Sequence, residues 1–193
     1  MKKPYLALVI AFAFTFLSFA CKKENEATST DTANTTTSVA ASDTSGTTST
    51  AQMASADLDF MQKAATGGLA EVALGQQVSP AAKNPDAKGF ADRMVTDHSK
   101  ANDELKQLAS NKGVTLPTDT DQKHKDAAQK VMSSKNIDKA YIDDMVEDHD
   151  KDVKEFEEAS KLAKDADLKA WIDKTLPVLK EHQKMAHDIK SKM

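Results

Sequence analysis

Three of the chain's five histidines and one isolated glutamate are the residues best placed to do chemistry. His98, His149 and His182 each fall midway along a helical pattern and in register with its apolar stripe, where a water-facing side chain would not be. Glu71 does the same on an earlier stripe and is the only charged residue between Lys63 and Lys83. Gly67, Gly68 and Gly75 flank it, as at a place where another backbone comes close. Three imidazoles and a carboxylate are a competent donor set for Zn²⁺, and adjacent methionines extend the range to copper. Without a metal, the same four residues could hydrogen-bond across a core and fix helix register. His124 and His187 fall off the stripes and are expected to face water.

The neighbours of the histidines repeat. Met94-Val95-Thr96-Asp97-His98 and Met145-Val146-Glu147-Asp148-His149 share the pattern Met-Val-x-Asp-His, and Met185 lies one turn from His182. The repeat points to helices two and three as related halves of a duplicated unit. Asp97 and Asp148 stand where a carboxylate would orient an imidazole or close the edge of the site. Met94, Met145 and Met185 by themselves fit the gap-filling use of methionine in helical cores.

These residues need long helices to carry them. Leu58, Met61, Ala65, Gly68, Val72 and Gly75 step by three and four and mark helix one, which Ser79-Pro80 should end. Asn84 reads as an N-cap with Pro85 at the first helical position. Helix two carries Ala87, Ala91, Met94, His98, Ala101, Leu105 and Leu108 inward, and Gly113 is its expected left-handed stop. Thr118 or Asp119 caps a short helix to Met132, Asn136 starts helix three, and Asp165 or Asp167 starts helix four, with a kink expected at Pro177. The pattern predicts an all-α, up-down four-helix bundle over 57–193, with an extra short helix between helices two and three. At ~1.5 Å per residue from the turns, Glu71, His98, His149 and His182 come to one level within about a helical turn.

The remainder of the 193 residues is an address and a tether. Residues 1–20 carry Lys2 and Lys3 before an uncharged apolar run and small residues at Ser18 and Ala20, the form of a signal peptide. The chain's one cysteine, Cys21, follows at once, and Leu17 to Cys21 resembles a bacterial lipoprotein box with the thiol as lipid attachment point. Ser18-Phe19-Ala20 also suits ordinary signal peptidase, which would leave a secreted chain. From Cys21 to Ala56 the Ser/Thr-rich composition lacks the apolar side chains needed to offset ordering entropy, and reads as a disordered tether. The expected home is a bacterial cell envelope, with the membrane as partner through the N-terminal lipid and the bundle in the periplasm or at the cell surface. A net charge of −4 argues against nucleic acid, and a single cysteine excludes multi-cysteine metal sites.

The segment Gly67 to Gly75, the two Asp-His pairs, and Thr175-Leu176-Pro177 followed by His182 resemble the bacterial domain-of-unknown-function family 4142. The resemblance spans nearly all of residues 57–190 and implies a ferritin-like fold with no established activity. A ferritin-like di-iron site uses Glu-x-x-His on two helices. Here Val95, Val146 and Leu179 stand three residues before the histidines, so a standard di-iron centre is not expected, although single Zn, Cu or Fe ions remain open. No nucleophile triad, phosphate loop or His-Glu-x-x-His motif is present, so no enzyme class is assigned. The other reading is an envelope interaction module whose polar layer is purely structural.

Overall fold

The computed structural model describes residues 53–193; the expected signal peptide, Cys21 and most of the expected tether lie outside them. The described residues form five helices and no strand: α1 (Ser55–Ala81), α2 (Pro85–Asn111), α3 (Gln122–Met132), α4 (Ile137–Leu162) and α5 (Ala166–Lys190). None is long and apolar enough to cross a membrane.

Local chemistry sets the helix ends. The Asn84 side chain accepts from the N–H groups of Asp86 and Ala87, with Pro85 in the first helical position. Asn136 accepts from Lys139 N–H, and Asp165 from those of Asp167 and Leu168. Gly113, with φ of 68°, takes the left-handed conformation that stops α2. Asp121, rather than Thr118 or Asp119, caps α3 by accepting from His124 N–H, while Asp119 is engaged by Lys125. Two prolines are absorbed: α1 runs one residue past Pro80, and α5 continues through Pro177.

Contacts between the long helices define their directions. Gly68 faces Asn102 while Gly75 faces Ala91 and Val95, so α1 and α2 are antiparallel. Ser160 with Asp173, Glu157 with Lys180 and Asp143 with Lys190 make α4 and α5 antiparallel. Phe60 meets Phe156 with ring centroids 5.0 Å apart, while Glu71 meets His149, so α4 also opposes α1. It follows that α2 and α4 run in the same direction. This corrects the simple up-down alternation: the segment from Lys112 to Asn136 carries the chain back along the bundle, with α3 packed on α1 and α4. The expected common level of the site survives, because His98 and His149 each lie near the middle of their helices and reversing one helix leaves its middle in place.

Two carboxylates brace the turns. Asp57, buried at the start of α1, accepts from the N–H groups of Lys164 and Asp165 in the α4–α5 turn. Asp138, at the start of α4, accepts from those of Lys83 and Asn84 in the α1–α2 turn. Each ties the start of one hairpin to the bend of the other. Between these braces lie two apolar clusters. One gathers Phe90, Met94, Tyr141 and Met145; the other gathers Met61, Leu105, Phe156 and Trp171. The polar residues of interest lie in the gap between the two clusters.

Candidate metal centre

Close approach of α1 and α2 sets the position of Glu71. A Cβ on Gly75 would stand 2.9 Å from Val95 Cγ2 and 3.1 Å from the Ala91 carbonyl, and one on Gly68 would collide with Asn102. The two glycines bracket Glu71 on the α1 face that meets α2, and its carboxylate reaches across to His98. Gly67, by contrast, has open space and is not needed for this approach.

The four residues converge. Relative exposure is 0% for His149 and His182, 4% for Glu71 and 6% for His98. The three imidazole centroids lie 5.2–5.9 Å apart, and one ring nitrogen from each falls within 4.8 Å of the others. Each ring also turns one nitrogen to an acceptor. His98 Nδ1 lies 2.8 Å from Glu71 Oε2, His149 Nδ1 3.0 Å from the Met145 carbonyl, and His182 Nε2 2.8 Å from Asp97 Oδ2. That leaves His98 Nε2, His149 Nε2, His182 Nδ1 and Glu71 Oε1 buried with no hydrogen-bond partner. Glu71 Oε1 lies 3.6 Å from His149 Nε2.

This geometry separates residues that the sequence placed in one group. Glu71 orients His98 from behind and holds one free oxygen beside His149. Asp97 orients His182 on α5, not the adjacent His98, and is itself held by Arg93 Nε at 3.0 Å, with Arg93 reaching Glu181 at 2.8 Å. Asp148, its counterpart in the repeated motif, is in contact with none of the three rings by hydrogen bond; it lines an outer cavity. Met145 contributes its carbonyl, and Met94 and Met145 pack in the apolar cluster, with Met185 partly buried against it. The Phe90 ring lies 6.4 Å from His149 and 6.2 Å from His182, roofing the layer on that side.

Beyond His98, on the side away from Phe90, a pocket of about 60 Å³ is bordered by Glu71, His98, Asn102, Asp152 and Thr175. Asp152 was not singled out from the sequence. The available signal was positional: Asp152 precedes Lys164 of the second turn by the same interval as Glu71 precedes Lys83 of the first.

Burial governs the protonation of this layer. It draws His98 and His182 down to about 4 and His149 below its ordinary value, so all three are neutral at pH 7 with nitrogen lone pairs available. Burial pushes Glu71 up to about 7, with His149 opposing, and pushes Asp152 up to about 8, aided by the nearby Glu71 carboxylate. On Asp97, partial burial is outweighed by hydrogen bonds from His182 and Arg93, which hold its carboxyl below the usual range.

Fold and site together define an all-helical bundle with a buried three-histidine layer. The chain belongs to the family described as "Domain of unknown function (DUF4142)", whose pattern matches residues 42–189. No curated protein and no solved structure matches it.

Proposed function

We propose that this protein binds a single transition-metal ion through His98, His149 and His182. The observation that carries this reading is the pairing of satisfied and unsatisfied nitrogens. Metal-ligating histidines ordinarily give their second ring nitrogen to a carboxylate or a backbone carbonyl. Each histidine here does so, while the opposite nitrogens are buried and without a partner, on rings whose centroids lie 5.2–5.9 Å apart. Four of the seven buried side-chain polar atoms without a partner among the described residues fall in this one layer, at about 1–3 kcal/mol each, a cost that a bound ion would offset. One nitrogen from each ring already lies within 4.8 Å of the others, against the ~3.4 Å spacing of tetrahedral 2.0–2.1 Å bonds.

Three neutral imidazoles, no thiolate and a shortage of bridging carboxylates favour Zn²⁺ or Cu²⁺ over a di-iron centre. Glu71 and the small pocket beside His98 would border the open side of an ion held by the three imidazoles. The bundle is ferritin-like in this reading, since a single crossover connection between otherwise antiparallel hairpins is the mark of that class. Cys21 anchors the domain to a bacterial envelope membrane, which suits storage, buffering or sensing of a metal outside the cytoplasm. Expression in a bacterial host checks the anchor: acylation should raise the intact mass, and Cys21→Ala should release the chain from the membrane fraction.

Calorimetric titration of the metal-free full chain with Zn²⁺, Cu²⁺ and Fe²⁺ tests the metal reading. One ion should bind at submicromolar concentration, and the His98→Ala/His149→Ala double variant should lose it while circular dichroism still reports a helical protein. Absence of binding to the parent chain would return the layer to a purely structural role.

A further inference from the structure

The histidine layer is enclosed, so an ion bound there needs a way in. A cavity of about 230 Å³ opens between α1, α3 and α4, where α3 lies across the seam. Its walls carry Asp144, Asp148 and the paired Glu147 and Lys151 from α4, and Lys123, His124 and Lys130 from α3, with the two unpaired aspartates on the α4 side. At its inner end stands Glu71, which also borders the small pocket beside His98. Glu71 is the one residue common to both spaces, and its Oε1 is buried and without a partner.

The charges on α4 point the same way. Asp144, Asp148 and Asp152 recur at intervals of four and therefore line one face of the helix. All three are half-buried, and none makes a hydrogen bond or salt bridge with another described residue. Their neighbours differ: Glu147 is paired with Lys151, Asp143 with Lys139 and Lys190, and Asp150 with His187. Like charges four residues apart on a helix repel, so the unpaired Asp144 and Asp148 are an arrangement that a passing cation relieves. Asp148 and Asp144 lie in the outer cavity and Asp152 in the inner pocket, on either side of Glu71.

We infer that divalent metal ions reach the histidine layer through the α1–α4 seam under α3, drawn along the Asp144–Asp148–Asp152 column and handed inward past the free oxygen of Glu71. This rests on the metal-binding reading above. It makes Asp144 and Asp148 steering residues that act on the rate of arrival, distinct from the histidines that hold the ion.

Stopped-flow mixing of the metal-free full chain with Co²⁺, followed by the visible absorption of the bound ion, tests the inference. The Asp144→Asn/Asp148→Asn variant should bind Co²⁺ with an unchanged spectrum but associate about tenfold more slowly, with a weaker dependence on ionic strength. Its dissociation rate should stay within about twofold of the parent. The exposed Asp103→Asn change on α2 should leave association as it is. An unaltered association rate, or a variant whose loss of affinity lies wholly in faster dissociation, would overturn the route while leaving the site standing. Failure of the parent to develop any Co²⁺ spectrum would overturn the metal reading and the route with it.

Discussion

Glu71 Oε2 lies 2.8 Å from His98 Nδ1, and this contact joins the closest approach of α1 and α2 to the buried imidazole layer. It fixes the face that His98 offers to its partners and leaves Oε1 free beside His149. Glu71→Gln keeps the size of the side chain and removes its ability to ionise. Zn²⁺ affinity, measured by competition with a chelator, should fall by about 10–100-fold, the usual effect of losing a carboxylate behind a metal-ligating histidine. An unchanged affinity would mean that Glu71 neither orients the ring nor compensates the ion's charge.

Asp97 plays the corresponding part for His182 from the opposite helix pair. Asp97→Asn should weaken Zn²⁺ binding to a similar degree, about tenfold or more. Glu181→Gln, which removes only an exposed partner of Arg93, should change it by less than about twofold. Equal effects from the two substitutions would locate the contribution in surface charge instead of ring orientation.

The metal-free protein should show opposed titrations. Burial holds His98 and His182 near 4 against an ordinary 6.5. Below 6.5 the unfolded chain takes up protons that the folded histidines refuse, so their contribution to stability falls as pH drops from 6.5 towards 4. Glu71, raised by burial from 4.5 to about 7, keeps a proton that the unfolded chain releases, so its contribution falls as pH rises across 4.5 to 7. Removing that opposing group with Glu71→Gln should make stability climb more steeply with pH between 4.5 and 6.5 than in the parent chain. Urea midpoints across this window provide the comparison, and parallel profiles would contradict the assignment.

Two glycines separate packing from backbone entropy. Gly75→Ala places a methyl group 2.9 Å from Val95 Cγ2 and 3.1 Å from the Ala91 carbonyl, and should destabilise the fold by about 1–3 kcal/mol. Gly89 is helical, exposed and has nothing within 4 Å of a built Cβ. Gly89→Ala should therefore stabilise by about 0.5–1 kcal/mol. Urea denaturation of both variants measures the difference in sign.

Helix positions were legible in the sequence because their signals are local. Asn84-Pro85, Asn136, Asp165 and Gly113 act within a turn of themselves, and each appears where its chemistry requires. The polar layer was legible for a related reason, since a histidine on an apolar stripe is conspicuous by position alone. Helix direction was not. A connection of this length permits either return, and the choice rests on tertiary contacts such as Asp138 with the α1–α2 turn. The division of labour in the site was equally hidden. Asp97 and Asp148 occupy the same place in the same motif, yet only Asp97 faces a helix that brings it an imidazole. Asp152 escaped notice because α4 is rich in acids, and burial rather than residue type sets it apart.

In the proposed centre, three histidines from three helices hold one ion. X-ray absorption at the metal edge of the Zn²⁺-loaded full chain tests it directly, because imidazole ligands leave a distinctive outer-shell scattering pattern. Three imidazole nitrogens are expected at about 2.0–2.1 Å, with the remaining ligand a light oxygen atom. A spectrum dominated by oxygen with one imidazole or none, or a chain that retains no zinc, would contradict it.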